Sequence, residues 1–314
     1  MKIGILTFQN AENYGAVLQC YALQEHLKKL YPNDEICVID YRNTLIDNSY
    51  KSIYVRKSFL QNIAQFLYLP KVLKKKNNFR KFKRNFLNLT HPDFSSFDII
   101  YYGSDQIWNT TLTNGDLTYF GEGFSGKKIA YGASDGGEMQ ITDDIKSLLS
   151  SFDSIFCREI SLENKIKNMG ISVPISTVLD PVFLLNKNEW LKIAIPPKEK
   201  NYILAYKIAL RDDFDIQAEK LGMQLGKKVV QIVYLKSIKK YFYKKQKIIQ
   251  AISPEQFLGY LANADFILTT SFHGTAFSIM FEKPFYVLSF EKRSERITEL
   301  LNYFGLEKQY VSIL

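Results

Sequence analysis

Lys2-Ile-Gly-Ile-Leu-Thr7, Tyr14–Leu30 and Ile36-Cys-Val-Ile-Asp40 decide the fold. The first and third are short apolar runs of strand length. The segment between them places Ala16, Leu18, Tyr21, Ala22, Leu27 and Leu30 at helical spacing. Strand, helix, strand predicts a right-handed βαβ crossover, hence a parallel sheet with helices on its faces. The same alternation continues through strand runs at Asp98–Tyr102, Lys128–Tyr131, Ser154–Cys157 and Ile175–Leu179, with a helix over Ile160–Met169 closed by Gly170. These elements predict an N-terminal α/β domain over residues 1–185.

Asn186–Lys200 holds Pro196-Pro197 and several lysines and reads as the passage to a second α/β domain over residues 186–314. There the pattern restarts: strands at Tyr202–Tyr206, Val229–Tyr234, Phe266–Thr269 and Phe285–Leu288, and helices over Asp213–Leu225, Pro254–Asn263 and Thr275–Phe281. Ser253 is the expected N-cap of the middle helix, with Glu255-Gln256 in its first turn. The predicted fold class is α/β, two Rossmann-like domains facing across a cleft, and ligands of such sheets bind at the carboxyl ends of the strands.

Composition agrees with an ordinary folded protein. The 314 residues are 46% hydrophobic and 23% charged, which excludes disordered, collagen-like and disulfide-stapled classes. No apolar run reaches the ~18 residues of a membrane span, and the first segment breaks at Gln9-Asn10, too early for a secretory signal. The expected location is cytoplasmic. Cys20, Cys37 and Cys157 form no Cys-x-x-Cys pattern and read as small buried hydrophobes. No His, Cys and carboxylate cluster at ligand spacing occurs, so no metal is expected.

Charge is uneven. Residues 51–90 hold eleven Lys/Arg and no acid, so this segment carries +11 of a net +9. It reads as two basic amphipathic helices over 55–89, separated near Pro70, and is grouped with the first domain. Lys236–Lys247 is a second basic run, with six lysines. A solvated helical face is the plainest reading of such runs. An anionic membrane face comes next. Phe59, Phe66, Tyr68, Phe79, Phe82 and Phe86 interleave the charges, but no nucleic-acid motif accompanies them, so nucleic acid is not expected as a partner.

Four turns carry chemistry. Asn13-Tyr14-Gly15 stands between the first strand and its helix, where neutral donors and a positive helix end suit hydroxyls; a plain Asn cap with Gly15 for close approach is the equal alternative. Asp105, in Gly103-Ser104-Asp105-Gln106-Ile107-Trp108, is placed as a general base or hydroxyl acceptor, with Trp108 as a sugar wall; a turn in which Asp105 bonds nearby backbone is the alternative. Arg158 follows a strand directly and suits carboxylate or phosphate, or else pairs with Glu159 or Asp180. Asp265-Phe-Ile-Leu-Thr269-Thr270-Ser271-Phe272-His273-Gly274-Thr275 runs a strand through hydroxyls and an imidazole into a helix, an anion site with an acid/base attached. A literal Gly-x-Gly-x-x-Gly at Gly121–Gly126 precedes a strand, not a helix, and is discarded.

At these residues the sequence resembles the polysaccharide pyruvyl transferase family. The resemblance runs in order through Asn13–Gln19, Gly103–Trp108, Ala130-Tyr131-Gly132-Ala133-Ser134, Arg158-Glu159, Leu179-Asp180-Pro181, Ser271–Ala276 and Glu282-Lys283-Pro284-Phe285. It implies a fold like the B-type glycosyltransferases, phosphoenolpyruvate as donor, and a sugar or lipid-linked oligosaccharide hydroxyl pair as acceptor. The product is a pyruvate ketal on a cell-surface glycan or its precursor, with no separate cofactor. It further implies a donor side of Arg158, Ser271, His273, Gly274 and Thr275, an acceptor side of Asn13, Tyr14, Gly15 and Trp108, and His273 with Asp105 as the catalytic pair. Where some members carry Arg-Leu-His-Gly, this chain has Ser271-Phe272-His273-Gly274; Arg158, Arg293, Arg296 and Lys207 are the candidate replacements. The end soon after Leu306 carries the expectation that a terminal helix crossing back to the first domain is missing. The alternatives to this function are a nucleotide-sugar glycosyltransferase and a non-catalytic glycan-binding relative. The charge of the 51–90 segment alone predicts peripheral contact with the inner membrane face, where lipid-linked glycan precursors are found.

Overall fold

Apolar runs buried on both faces build two all-parallel sheets in a computed structural model that describes residues 1–49, 59–208, 213–233, 246–289 and 295–313. The strands are β1 (Lys2–Leu6), β2 (Glu35–Ile39), β3 (Leu89–Thr90), β4 (Ile99–Tyr102), β5 (Lys127–Ala133), β6 (Ser154–Cys157) and β7 (Ile175–Thr177) in the first sheet. The second has β8 (Tyr202–Tyr206), β9 (Lys228–Ile232), β10 (Gln246–Ile249), β11 (Phe266–Thr269), β12 (Phe285–Leu288) and β13 (Tyr310–Val311). The helices are α1 (Tyr14–Leu30), α2 (Thr44–Ser49), α3 (Phe59–Phe86), α4 (Thr110–Thr113), α5 (Asp143–Leu149), α6 (Ile160–Asn168), α7 (Lys187–Ile193), α8 (Phe214–Leu225), α9 (Pro254–Asn263), α10 (Phe272–Met280) and α11 (Glu295–Tyr303).

The first sheet has the order β3-β2-β1-β4-β5-β6-β7, and the second β10-β9-β8-β11-β12-β13. Each reverses direction of growth once, between β1 and β4 and between β8 and β11, the two switch points where a crevice opens at the strands' carboxyl ends. Along β1, Ile3 and Ile5 join Val38, Ile99, Tyr101 and the α1 residues Cys20, Leu23 and Leu27 on one face. Leu6 joins Ile39, Ile100 and Tyr102 on the other. Two covered faces explain why these strands read as unbroken apolar runs rather than alternating ones. In the second sheet, Ile203, Ala205, Val229 and Leu268 meet Phe214, Ala218 and Leu221 of α8.

Contacts divide the chain into two compact units, Met1–Tyr50 with Lys83–Leu185, and Lys51–Phe82 with Asn186–Leu314. The basic segment is therefore shared: Lys51–Phe82 groups with the second unit, and the dividing point falls inside α3. The two helices expected around Pro70 are one continuous helix, with Pro70 inside it. A proline removes a single backbone bond and crowds the preceding turn. Val72, Phe79 and Phe82, buried on one stripe, hold the helix beyond it. Part of the expected basic segment (50–58), most of the Lys236–Lys247 run and Arg293 lie outside the described residues.

The helix expected from Thr275 begins three residues earlier. Ser271 is its N-cap, its Oγ accepting the Gly274 N–H at 3.2 Å. His273 thereby stands in the first turn of α10 rather than in the loop before it.

Candidate functional site

In the second unit, β11 ends at Thr269 beside the carboxyl end of β8, and the turn to α10 is held by backbone hydrogen bonds. Thr269 Oγ1 donates to the Tyr206 carbonyl at 2.7 Å and accepts from the Ser271 N–H at 3.0 Å. Thr270 Oγ1 accepts from the Ile208 N–H. Thr275 Oγ1 donates to the Ser271 carbonyl at 3.0 Å. The hydroxyls of Ser271 and Thr275, expected to bind donor, are thus turned onto the backbone of their own helix start, and both residues are buried. Gly274 is required by space: a Cβ there would stand 2.3 Å from Thr269 Oγ1 and 3.1 Å from the Tyr206 ring. His273 keeps 9% of its surface exposed at the amino end of this nine-residue helix, where the helix dipole favours an anion. Its ring meets Phe272 edge-on at 5.3 Å.

Of the candidate cations for the position of Ser271, Lys207 is paired with Asp215 at 2.6 Å, an Asp held as well by Gln231 at 2.8 Å. Arg296, in the first turn of α11, places its guanidinium carbon 6.0 Å from the Phe272 ring centre, beside the residue that precedes His273. Among the described candidates of this unit, Arg296 has its guanidinium beside the His273 turn. A hollow of ≈ 400 Å³ bounded by Phe266, Lys283, Pro284 and Phe285 lies at the amino ends of β11 and β12, the opposite end of the sheet from that turn.

In the first unit, the expected residues gather at the carboxyl ends of β1, β4 and β6. Asp105 has a backbone φ of +75°, a conformation that L-residues with side chains rarely adopt. Its carbonyl accepts from Ile107 and Ser134 N–H groups at 2.8 and 3.1 Å, and it bridges to Ala133, the last residue of β5. Its carboxylate accepts from the Gln106 N–H at 2.9 Å and is half-buried. Strain of this kind costs about 1–3 kcal/mol and concentrates at functional sites. Asn13 caps α1, its Oδ1 accepting from Gly15 N–H at 2.9 Å. Tyr14 and Gly15 are buried in the first turn.

Two expectations are corrected here. Trp108 walls no sugar site: its ring is fully buried, stacked on Phe120 at 5.9 Å and edge-on to Phe152, with Nε1 donating to the Tyr119 carbonyl at 2.9 Å. Arg158 is not turned to an anionic ligand. Its side chain is 2% exposed, with Nη1 2.9 Å from Asp180 Oδ2 and Nε 3.2 Å from Glu159 Oε1. Both pairings named as alternatives in the sequence occur together. Ser104 Oγ donates to Asp180 at 3.0 Å, Ser134 Oγ donates to Glu159 at 2.6 Å, and Thr7 Oγ1 donates to the Ser104 carbonyl at 2.7 Å. Burial alone would lower the affinity of Arg158 for its proton, but the carboxylates of Glu159, Asp180 and Asp105 together raise it above the ordinary guanidinium range. Arg158 is the keystone of a buried network that ties β4, β5 and β6 behind Asp105.

Ser104, Ser134 and Asp180 were not expected as site residues, although each lies in a quoted motif. Asp180 also caps the turn at Pro181–Leu184, accepting the Val182 N–H at 3.0 Å. Among the described residues no three His, Cys, Asp or Glu side chains converge on a metal-sized position.

The sequence model of the polysaccharide pyruvyl transferase family matches residues 13–291. Among curated proteins no match is found. Among solved structures, UDP-GlcNAc 2-epimerase from Neisseria meningitidis bound to UDP-GlcNAc aligns with a TM-score of 0.52 at 13% identity, over 98% of this chain and 94% of its own. UDP-GlcNAc 2-epimerase from Methanocaldococcus jannaschii gives 0.52 at 14% identity, over 95% and 87%. At these identities the likeness is one of fold: two Rossmann-like units of the B-type glycosyltransferase kind.

Proposed function

We propose, on the premise that this chain belongs to the polysaccharide pyruvyl transferase family, that it transfers the pyruvyl group of phosphoenolpyruvate to a pair of sugar hydroxyls as a ketal, in the making of a cell-surface or exopolysaccharide. The observation that supports this most is the His273 turn. An imidazole stands at the amino end of α10, with Arg296 beside the preceding ring. Phosphoenolpyruvate carries a carboxylate and a phosphate, which call for a helix mouth and a cation. Its enol carbon needs a proton before a hydroxyl can add, which calls for an acid.

In this reading His273 delivers a proton to the methylene carbon, making a methyl group and an electrophilic central carbon. The first sugar hydroxyl adds there while Asp105 takes its proton. The bond from the central carbon to the phosphate oxygen breaks, and phosphate leaves with the proton from Asp105. The second hydroxyl adds, its proton returns to His273, and the ketal closes. Arg296 holds an anionic group of the donor. Arg158 works at one remove, fixing the strained backbone of Asp105 through Ser104 and Asp180.

The fold shared with UDP-GlcNAc 2-epimerases keeps one second reading, transfer from a nucleotide sugar. Incubation with phosphoenolpyruvate and a panel of glycans separates the two. Phosphate release coupled to an acid-labile mass gain on the glycan is expected. Turnover of a UDP-sugar with no release from phosphoenolpyruvate replaces the proposal with the second reading, and retained glycan binding with neither reaction makes the chain a binding relative.

A further inference from the structure

The outward face of α3 has no part in the reaction. Its inward stripe is Val72, Lys75, Phe79 and Phe82, all buried, with the Lys75 ammonium 5.5 Å over the Phe79 ring. Lys71 reaches Gln250 Oε1 at 2.8 Å, and Asn78 reaches the Ala251 carbonyl at 2.8 Å, which fixes the rotation of the helix about its axis. At 100° per residue the opposite side carries Lys74, Arg80, Lys81 and Arg84, with Lys76 at its margin, and all five are exposed. Lys74 to Arg84 spans about 15 Å of helix. No acidic residue occurs from Lys51 to Pro92, so nothing on the helix neutralises this face.

The sequence interleaves these charges with aromatic rings, a pattern that single-stranded nucleic acids exploit by stacking. Between Lys74 and Arg84 the structure separates the two. Phe79 and Phe82 are buried, and what the face presents besides charge is Asn77 and Leu73, the latter 55% exposed. A row of cations with one exposed aliphatic and, from Lys74 to Arg84, no exposed ring complements a flat anionic surface better than a strand of bases. No described helix is long and apolar enough to cross a membrane.

We propose that this face, Lys74, Lys76, Arg80, Lys81 and Arg84, docks the protein on an anionic lipid bilayer. The inference stands apart from the transferase reading, since it uses none of the residues placed in that reaction. Each cation at such a surface is worth about fivefold in binding.

Co-sedimentation of the full chain with phosphatidylcholine vesicles, with and without phosphatidylserine, tests it. Binding is expected only with phosphatidylserine, and is expected to weaken as salt shortens the screening length. A K74Q/R80Q/K81Q/R84Q variant is expected to lose roughly 10²- to 10³-fold of that binding. A variant with the same loss of charge at exposed positions elsewhere, K127Q/K146Q/K192Q/K200Q, is expected to keep most of it. Equal sedimentation with neutral vesicles, unchanged binding by the face variant, or binding of an oligonucleotide in place of the vesicles would overturn the proposal. Even if the variant folds poorly, binding of the unaltered chain that does not weaken with salt overturns the proposal.

Discussion

Arg158→Met removes the keystone of the first unit while keeping an apolar stem of similar length. Two carboxylates, both at most 3% exposed, then lose the guanidinium at 2.9 and 3.2 Å. Breaking one side of a buried ion pair costs about 3–5 kcal/mol. Asp180 retains Ser104 Oγ and the Val182 N–H, and Glu159 retains Ser134 Oγ, so the lower end applies, about 3 kcal/mol. For a unit of about 150 residues this lowers the melting temperature by roughly 10 °C. The chain has two tryptophans, Trp108 in the first unit and Trp190 in the second, against Phe277. In a Trp190→Phe background, Trp108 emission reports the first unit alone, and urea unfolding gives the loss directly. The deficit should shrink as pH falls, because buried carboxylates without a cation prefer the neutral form. Arg158→Lys keeps the charge without the fork and should fall between the two. An Arg158→Met chain whose first unit unfolds as the parent does, while its affinity for phosphoenolpyruvate collapses, would refute the reasoning and return Arg158 to the donor.

His273→Ala should cut turnover by about 10²-fold or more with the Trp190 unfolding curve nearly unchanged; steady-state phosphate release checks it, and full activity would remove His273 from the chemistry. Arg296→Gln should weaken phosphoenolpyruvate binding by roughly 10- to 100-fold, the weight of a charge-assisted hydrogen bond, as measured by calorimetry. Glu199 accepts from Tyr260 Oη at 2.9 Å and pairs with Lys247. Burial alone would raise its carboxyl pKa, but the hydrogen bonds from Lys247 and Tyr260 hold it below the ordinary glutamate value. Its stabilising effect is therefore full above the unfolded pKa and is lost as pH falls through the depressed folded value. Glu199→Gln should cost up to about 1 kcal/mol near neutral pH, the Lys247 end being exposed, and nothing in strong acid, read from Trp190 emission.

Much of this was legible in the chain itself. Tyr202–Tyr206, Phe266–Thr269, Phe285–Leu288 and Ser154–Cys157 are strands with the expected bounds, because parallel strands covered on both faces must be apolar throughout. The edge strands Leu89–Thr90 and Tyr310–Val311 are two residues long and carry no period to read. Gln246–Ile249 emerges from a lysine-rich run that masks its apolar end. The amphipathic helix at Glu295–Tyr303 lies outside every quoted motif, and it is this helix that carries Arg296 to the Phe272 ring. The His273 turn was legible because strand, hydroxyls and helix follow in direct succession. Trp108 was misread because nothing local distinguishes a ring on a ledge from one under it; Phe120 and Phe152 decide that, and only the fold brings them there.

The shared helix has a consequence for the order in which the molecule is made. Lys51–Phe82 leaves the ribosome before most of the first unit, yet it is grouped with Asn186–Leu314, which comes last. Val72, Phe79 and Phe82 therefore precede the rest of their unit by more than a hundred residues of chain. During that interval the stripe lacks the rest of its unit, and a cut at any single point of the chain leaves one unit without part of its sequence.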